Sequence, residues 1–534
     1  MKMGTRMKDN FTNLFPQLVV AIWGSWGYFC MGSVRGRSSP GIPSQNRTMD
    51  FDMSPSDLQW ISSFPMLGAI LGSLFINKPM EYYGRKKALV GHYIVFICGF
   101  FISGFTHFGE HKSMLYIGRF LMGIAAGCTT PAAQIYVSEC ASPSLRGWMG
   151  SLTASSLVLG VWSTYVIGTF VEWHVLAWIF GCLPILFLCG TVVMPESPVW
   201  LLSHDREQEA RRSLQFLRGK GTNVQAEIER IKKHLERVAN YNSQSPQVTL
   251  TSGSVVKPLA ISLGIMLFQQ TTGINAIVFY TASIFQAAGS SIDGKYTTII
   301  VGAVQLIFTI ASGFLADRCG RRMLYLVSAI SSAVPLAALG IFFCCQRRWG
   351  DQEAIRYFGW LPFVSLIVFF IAYSGGISNV PFIIMGEMFP LRYRTLLGGI
   401  SSSFHLFCTF VMVRFFPDML RAMGKGGTFY FFSGCTLLSA IFVYFLLPET
   451  KGKTLEELEQ LFRSNNIEPY KRQYYLEDTL ATEKNTNWEV VLLRRSETKD
   501  SHRTELQLCV NKLEVTLEFY ESSAQFNFST IDVA

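Results

Sequence analysis

Twelve apolar windows, each of about 18 residues or more, recur along this 534-residue chain. A bilayer's hydrocarbon core is about 30 Å thick, so a helix of about 20 apolar residues spans it. The windows lie at roughly 17–34, 59–77, 88–107, 114–137, 150–171, 177–194, 257–288, 296–316, 323–345, 357–388, 396–416 and 427–447. Only 16% of residues are charged, and strand-length apolar runs do not alternate with amphipathic helices as in a soluble α/β core. The chain is therefore predicted to be an all-α membrane protein with twelve transmembrane helices.

Three charged signatures beside these windows occur twice, in the same order. The first copy comprises Glu81 to Lys86 (EYYGRK), Glu139 with Arg146 seven residues later, and Glu196 between a proline and a serine. The second copy comprises Asp317 to Arg322 (DRCGRR), Glu387 with Arg394 seven residues later, and Glu449 between a proline and a threonine. The repetition predicts an internal duplication into two pseudo-symmetric six-helix bundles, which is how many transporters are built.

A polar stretch separates the two sets of six windows and sets the predicted domain boundaries. They are a cytoplasmic amino terminus (1–16), a first six-helix bundle (17–194), a cytoplasmic helical linker (195–256), a second six-helix bundle (257–447) and a cytoplasmic tail (448–534). Within the linker, residues 204–239 favour two amphipathic helices with a break at Gly219 and Gly221. The tail is polar and mixed in charge, and we predict disorder beyond residue 466.

The basic residues of the short loops do not decide the orientation in the membrane. Similar numbers of Lys and Arg fall on the two sides, with Arg35 and Arg37 assigned to an outer loop. The long basic linker favours the cytoplasm for its own side. The sequon at Asn46-Arg47-Thr48 favours an external, glycosylated first loop. We therefore expect both termini in the cytoplasm and insertion in the plasma membrane.

Other functional classes lack the residues that they require. Most of the twelve cysteines lie in predicted spans and none has zinc-site spacing, so no metal or cofactor is expected. The net charge of +9 is spread over loops and tails without an aromatic-interleaved basic stripe, which argues against nucleic acid as a partner. There is no nucleophile–base set that would support an enzyme. The bilayer is the one macroscopic partner predicted, and the oligomeric state stays open.

Eight motifs carry a resemblance to a known family. They read KPMEYYGRKK (78–87), IGRFLMG (117–123), SECASPSLRG (138–147), PESPVWLL (195–202), QQTTGIN (269–275), GFLADRCGRR (313–322), GEMFPLRYR (386–394) and PETKGKTLEEL (448–458). Together they resemble the sugar porters of the major facilitator superfamily over roughly residues 15 to 465. PESPVWLL and FCTFVMVRFFPDML (407–420) look most like the facilitated trehalose and hexose transporters of insects. The resemblance implies the major facilitator fold and a small-molecule sugar substrate.

The charged signatures lie at predicted helix ends, where acidic and basic residues can pair. Such pairs would form when the cytoplasmic ends of the spans close and break when those ends open. The predicted cytoplasmic gate comprises Glu81, Arg85, Lys86, Glu139, Arg146, Glu196, Asp317, Arg321, Arg322, Glu387, Arg394 and Glu449. The alternative is plain anchoring of cytoplasmic loops by Lys and Arg, although the matched acids and the duplication argue against it.

Three amides interrupt the otherwise apolar seventh window, LFQQTTGINAIVFY. At about 100° per residue, Gln269, Gln270 and Asn275 do not share one face of an ideal helix. A break at Gly273 would let all three face a central cavity. Amides suit a sugar because they offer donors and acceptors to its hydroxyls. The alternative is amide bonding between helices, which is common in membranes.

The resemblance implies roles for these and for further residues. Gln269, Gln270 and Asn275 match the family's sugar contacts, and Gln305 stands where a polar sugar contact is usually Asn. Phe279 and Tyr280 match an aromatic pair that acts as an outer gate in the family.

The chain also departs from the family's pattern at sugar-contacting positions. Phe382 replaces a tryptophan of the tenth span, and His405 replaces an asparagine of the eleventh. In the fifth span Ala154, beside Thr153, replaces a glutamine. The substrate is thus either a sugar of different size or not a sugar.

Proton coupling is predicted to be absent. Symporters of the resembled family carry a carboxylate in the first span, whereas this chain has no Asp or Glu between Phe11 and Gly36. A facilitated uniporter is therefore favoured. His405 keeps a proton-coupled symporter open because histidine titrates near neutrality, although a neutral hydrogen-bonded imidazole is the simpler interpretation. A sugar-sensing receptor on the same fold, with little transport, is a further alternative.

Overall fold

The computed structural model describes residues 2–39, 54–109, 111–142, 146–219, 223–244, 253–288, 294–390, 393–450 and 462. Regular secondary structure within these ranges is helical throughout, which confirms the all-α prediction. The sequon at Asn46 and the tail beyond residue 466 lie outside the described residues.

Six long helices form the first half of the membrane domain. They are α1 (Lys2–Gly36), α2 (Pro55–Phe75), α4 (Arg85–Gly109), α5 (Lys112–Cys140), α6 (Arg146–Phe170) and α7 (Trp173–Gly190), with the short α3 (Asn77–Tyr83) between α2 and α4. Helices α2 and α5 approach backbone to backbone, because a Cβ atom added at Gly123 would lie 2.1 Å from the Pro65 carbonyl oxygen. Close contacts through small residues are a main source of helix packing inside a bilayer.

The described linker forms three helices, of which the first two pack against the first half and the third packs on those two. They are α8 (Pro198–Ser203), α9 (Glu207–Arg218) and α10 (Gln225–Gln244). Helix α9 ends at Gly219, whose φ of +95° agrees with the predicted glycine break. Arg218 pairs with Glu227 of α10 at 2.7 Å and donates to the Cys140 carbonyl at the end of α5, 3.1 Å away. The linker is thereby joined to the end of a transmembrane helix.

Nine helices are described in the second half. They are α11 (Gly253–Thr271), α12 (Ile274–Ala288), α13 (Gly294–Cys319), α14 (Arg321–Trp349), α15 (Asp351–Phe358), α16 (Leu361–Gly375), α17 (Val380–Met388), α18 (Arg394–Ala422) and α19 (Gly424–Leu446). Ten described segments of the chain are long and apolar enough to cross a bilayer. With α1, and with α13, whose apolar stretch Tyr296–Ser312 is shorter, they make the predicted twelve spans.

Two spans of the second half are broken near their middle. Helices α11 and α12 form the seventh span and meet at Gly273, whose φ is +79°. A Cβ atom at Gly273 would also lie 2.5 Å from the Phe432 ring, so both the backbone and the available space require glycine. Helices α16 and α17 form the tenth span, and residues 376–379 separate them.

In the described part of the chain, the two halves meet mainly along two pairs of helices, with a smaller contact between α1 and α12. Helix α2 packs on α18, and α6 packs on α13. One apolar core crosses this boundary and joins Tyr165 of the first half to Ile277 and Val301 of the second. We call the end of the spans that carries Arg85 and Arg321 the charged end. The opposite end is the far end.

The first span is longer than its predicted window, which ended at residue 34. Helix α1 runs to Gly36, and Arg37 directly after it is 1% exposed. Arg37 donates to Ser103 Oγ at 3.0 Å and to the Trp173 carbonyl at 3.2 Å. The assignment of Arg35 and Arg37 to an outer loop is therefore wrong. Hydrogen bonds inside the bundle offset part of the cost of burying Arg37.

Candidate functional site

Two amides and an imidazole form a buried hydrogen-bonded chain across the break in the seventh span. Asn275 Nδ2 donates to Gln270 Oε1 at 2.5 Å, and Gln270 Nε2 lies 3.0 Å from His405 Nδ1 on α18. Because an amide nitrogen carries only donors, the ring nitrogen of His405 accepts. Each of the three side chains is at most 6% exposed. The break at Gly273 thus brings Gln270 and Asn275 into contact, which an ideal helix would keep about 140° apart.

Gln269 is not part of this hydrogen-bonded chain of side chains. Its Nε2 donates to the carbonyl oxygens of Ile377 and Ser378, at 2.8 and 3.1 Å, between α16 and α17. Ser328 of α14 accepts from the Ile377 N–H at 3.0 Å. These bonds satisfy backbone groups that the break leaves without helical partners, as a bilayer interior requires. Gln269 therefore makes the kind of interhelical amide bond that was the alternative to a sugar contact.

Phe382 presents an aromatic face beside this chain. Its ring lies edge to face with that of His405, with centroids 5.3 Å apart, and 36% of the residue is accessible. Gln305 on α13 is partly accessible and has no hydrogen-bond partner among the described residues. The structure thus places His405 and Phe382 beside Gln270. Gln305, by contrast, forms no hydrogen bond within the described part of the chain.

The first half contributes a second polar group to the interior. The Tyr28 hydroxyl lies 3.3 Å from Gln134 Oε1, and Thr153 Oγ1 donates to the same oxygen at 3.3 Å. Sequence reasoning noted only Thr153, although polar residues inside the apolar windows were a signal for the other two.

Arg35 lies among residues of both halves. Its guanidinium is close enough to Tyr28, Tyr373 and His405 to interact electrostatically with each of them. Its Nε atom is buried without a hydrogen bond, and Arg35 has no ion-pair partner among the described residues. Sequence reasoning missed this cation because it follows the first apolar window by one residue.

The predicted aromatic pair of the outer gate lies near contacts between the halves. Phe279 is fully buried, and the Tyr280 ring lies 5.3 Å from that of Phe416 on α18. The backbone of Tyr280 leaves the helical region, with φ −116° and ψ 18°. Next to this pair, the Tyr165 hydroxyl of α6 donates to the Val278 carbonyl at 2.7 Å and so joins the two halves.

A second contact between the halves at the far end centres on Arg414. Its Nη1 donates to Gln59 Oε1 of α2, and its guanidinium lies 4.8 Å from the Trp60 ring centroid. Asp418, one turn later on α18, pairs with the same guanidinium at 3.1 Å. Arg414 belongs to a quoted motif, but no role was predicted for it, because its partners on α2 are distant in sequence.

At the charged end of the first half, two carboxylates surround the start of α4. Arg85 Nε and Nη2 donate to the two oxygens of Glu139 at 3.0 and 2.9 Å. Glu196 accepts from the backbone N–H groups of Arg85 and Lys86 at 3.0 and 2.9 Å. The unpaired N–H groups and dipole of a helix amino terminus favour a carboxylate there. Burial raises the pKa of the Glu196 carboxyl, although these backbone bonds oppose the rise.

The charged end of the second half repeats this geometry. Arg321 Nη2 donates to Glu387 at 3.1 Å. Glu449 accepts from the backbone N–H groups of Arg321 and Arg322 at 3.0 and 3.2 Å, at the start of α14. Gly84 and Gly320, one residue before each helix, have φ angles of +102° and +85°. The two copies therefore have the same local structure as well as the same sequence pattern.

Each of these clusters lies within one half of the molecule. The described Arg–Glu pairs hold neighbouring spans of the same half together, and none of them crosses to the other half. At the charged end, Ser73 Oγ of α2 and Ser403 Oγ of α18 lie 3.0 Å apart across the boundary.

For four members of the predicted cytoplasmic gate, the structure describes no contact with these clusters. Glu81 is exposed, and its side chain has no ion-pair partner among the described residues. The side chains of Arg146, Asp317 and Arg394 are outside the described set.

Comparison with known proteins identifies the family. Residues 27–462 match the profile of the family described as "Sugar (and other) transporter". The chain belongs to this sugar transporter family. Like its relatives it is a transporter and not an enzyme, and no group of metal-binding side chains occurs among the described residues.

Its curated relatives include insect proteins. It is 35% identical over 457 residues to the facilitated trehalose transporter Tret1 of Polypedilum vanderplanki, covering 85% of this chain and 90% of the relative. It is 34% identical to Tret1 of Culex quinquefasciatus, covering 84% and 86% of the two chains. The match spans only 52% of the longer Tret1 of Drosophila pseudoobscura pseudoobscura.

Solved structures with the same fold include the proton:xylose symporter XylE of the major facilitator superfamily, bound to 6-bromo-6-deoxy-D-glucose. The similarity covers 84% of this chain and 100% of that one, with a TM-score of 0.69 and 22% identity. The inward open conformation of XylE from E. coli gives a TM-score of 0.69 at 22% identity, over 83% and 99% of the two chains. The twelve spans thus form the major facilitator fold of an integral membrane protein.

Proposed function

We propose that this protein is a facilitated uniporter that carries a sugar such as trehalose or a hexose by alternating access. One observation carries the proposal. Hydrogen bonds link Asn275 to Gln270 and Gln270 to His405, at a helix break in a chain of the sugar transporter family. Amide groups recognise hydroxyls, and the accessible Phe382 ring offers an apolar surface for the C–H faces of a sugar. The insect relatives named as facilitated trehalose transporters support the same substrate class.

In this proposal some of the predicted site residues contact the substrate, and one of them supports the site. Gln270, Asn275, His405 and Phe382 bind substrate directly, and Gln305 contacts it from α13 in a state with bound sugar. Gln269 supports the site by holding the broken tenth span in place.

The far end and the charged end act as alternating gates. At the far end, Phe279 and Tyr280 close over the site together with the bonds of Tyr165 and Arg414 between the halves. At the charged end, the paired clusters fix the helix ends that must separate for release. Alternating access then requires only that the substrate bind both states and that the gates open in turn.

The proposal includes a location and an orientation. The charged end, both termini, the linker 195–256 and the tail 448–534 face the cytoplasm of a cell whose plasma membrane holds the protein. Asn46 is glycosylated on the outside. Labelling of single-cysteine variants by an impermeant reagent on intact cells tests the orientation, with a residue of the linker as the protected control.

Uptake by vesicles that contain the purified full-length chain tests the function. A panel of labelled hexoses, xylose and trehalose should show saturable uptake that stops at the external concentration. High-affinity binding without uptake would instead favour a sugar-sensing receptor. Absence of both binding and uptake for every neutral sugar would contradict the proposal.

A further inference from the structure

Arg35 places an unneutralised positive charge inside the membrane domain. Its described neighbours Tyr28, Tyr373 and His405 are each at most 8% exposed, yet Arg35 itself remains partly accessible. Arg35 is therefore more accessible than the side chains with which it interacts. Its Nε is buried without a hydrogen bond, and the residue has no ion-pair partner among the described residues.

Two of the residues with which Arg35 interacts electrostatically lie near the middle of their spans. His405 is the twelfth of 29 residues in α18, and Tyr373 is the thirteenth of 28 in the broken tenth span. Both therefore lie near the middle of their spans.

Among the described spans, carboxylates lie close to helix ends and not near Arg35. They are Asp57 in the first turn of α2, Glu139 in the last turn of α5, Glu387 in the last turn of α17, and Asp418 near the end of α18. Each already has a basic partner, at 3.2 Å or less. The protein thus supplies no described counter-ion for Arg35.

An isolated guanidinium is costly in a medium of low dielectric constant, and an intramembrane charge without a partner marks a functional site. A guanidinium is also suited to a carboxylate, which it binds through two parallel N–H donors. Two further arginines of the first half, Arg37 and Arg119, are 1% exposed and donate to groups of the protein itself. Of these three arginines, Arg35 is the one whose side chain stays partly accessible.

We infer that the site selects a sugar that carries one carboxylate, such as a hexuronate, with the carboxylate on Arg35 and the hydroxyls on Gln270 and its neighbours. His405 links the two parts, because it is bonded to Gln270 and is close enough to Arg35 to interact with it electrostatically. This inference rests on the proposed function and names an acidic hexose as the preferred sugar.

A matched pair of ligands tests the charge directly. D-Glucuronate and D-glucuronamide have nearly the same shape and differ in charge at one group. Both should compete with labelled neutral hexose for uptake by vesicles containing the full-length protein at neutral pH. We expect the acid to compete at a concentration about tenfold or more lower than the amide, because bonds to charged groups are the stronger ones.

Three variants assign the preference to Arg35. Arg35→Gln, which removes the charge, should abolish the preference, and Arg35→Lys should retain part of it. Arg348→Gln removes one positive charge from the exposed last turn of α14 and should leave the preference intact. If Arg35→Gln does not fold, the comparison of acid and amide on the wild-type protein still tests whether the site prefers a carboxylate.

The transport of a monoanion adds an electrical readout. Uptake of labelled glucuronate should rise when the vesicle interior is made positive, whereas uptake of a neutral hexose should not change. Equal competition by acid and amide, or an Arg35→Gln variant that weakens charged and neutral sugars by the same factor, would overturn the inference. In that case the uptake of neutral sugars would still stand, whereas failure of all sugars to enter would refute the proposed function itself.

Discussion

At the residue scale, Gln269 and Gln270 are adjacent and chemically identical, yet they have different hydrogen-bond partners. Gln269 donates to two backbone carbonyls of the tenth span, whereas Gln270 joins Asn275 and His405. A lost donor leaves buried acceptors without partners, so replacement of Gln269 damages the fold. Replacement of Gln270 removes a group that a hydroxyl of the substrate can use.

We expect Gln270→Ala to weaken sugar binding by about 1–3 kcal/mol, because substrate hydroxyls lose a buried amide partner. The amount of protein in the membrane should stay close to normal. Half-saturation of uptake by the best substrate measures the effect. Gln215→Ala on the exposed face of α9 is the control and should leave half-saturation unchanged. An unaltered affinity in Gln270→Ala would remove this residue from the site.

At the scale of elements, the turn that precedes α4 depends on a glycine. Gly84 has φ +102°, and a Cβ atom there would lie 2.4 Å from Glu196 Oε2. A larger residue would therefore strain the backbone and displace the carboxylate that caps α4. Gly320 repeats the arrangement before α14, with a Cβ atom 3.0 Å from Glu449 Oε2.

Gly84→Ala should lower the free energy of unfolding by about 1–3 kcal/mol, the usual cost of such a backbone conformation in a residue other than glycine. Gly91→Ala, inside α4, is the control. A Cβ atom at Gly91 would meet nothing within 4 Å, and alanine favours a helix by about 1 kcal/mol, so stability should hold or rise. Thermal unfolding in detergent compares the two, and equal behaviour would disprove the role of Gly84.

At the scale of the whole molecule, the two ends hold the halves by different means. At the far end, Arg414 bonds directly across the boundary to Gln59 and lies over Trp60. At the charged end, Arg321 pairs within its own half. A change at the far end should therefore act on the gate directly, whereas a change at the charged end acts through the position of α14 and α17.

Arg414→Ala should shift the population toward states open at the far end by about 1–2 kcal/mol, because it removes a charged hydrogen bond and a cation–π contact. The double change Arg321→Ala and Arg322→Ala should shift it the opposite way. Alkylation of single cysteines placed near each end reports both shifts. A shift of the double variant toward the far-end-open state would show that the charged clusters do not hold that end closed.

Transport of a neutral sugar should follow its concentration gradient alone. The first span carries no Asp or Glu after Phe11, and the Nδ1 of His405 accepts a hydrogen bond, which requires the unprotonated nitrogen. An inward proton gradient across vesicles should therefore not drive accumulation of a neutral sugar. Accumulation above the external concentration, collapsed by a protonophore and lost in His405→Asn, would identify a symporter instead.

Much of the fold was predictable because its signals are local. A bilayer demands about 20 apolar residues for each span, and the repeated charged signatures mark the helix ends of both halves. The break at Gly273 was also predictable, since glycine tolerates a positive φ. The neighbourhood of Gln270 was only partly predictable, because His405 lies 135 residues away in sequence.

The sequence by itself determined the spans, the duplication, the helix break and the family, because each depends on residue type and spacing. Only the tertiary structure decided that Gln269 supports the tenth span while Gln270 faces His405, since the packing of α11 against α17 and α18 selects the partner of each amide. It also decided that Arg35 and Arg37 belong to the bundle and not to a loop. A hydropathy window ends where an arginine occurs. Whether that arginine is buried depends on the groups that other helices place around it.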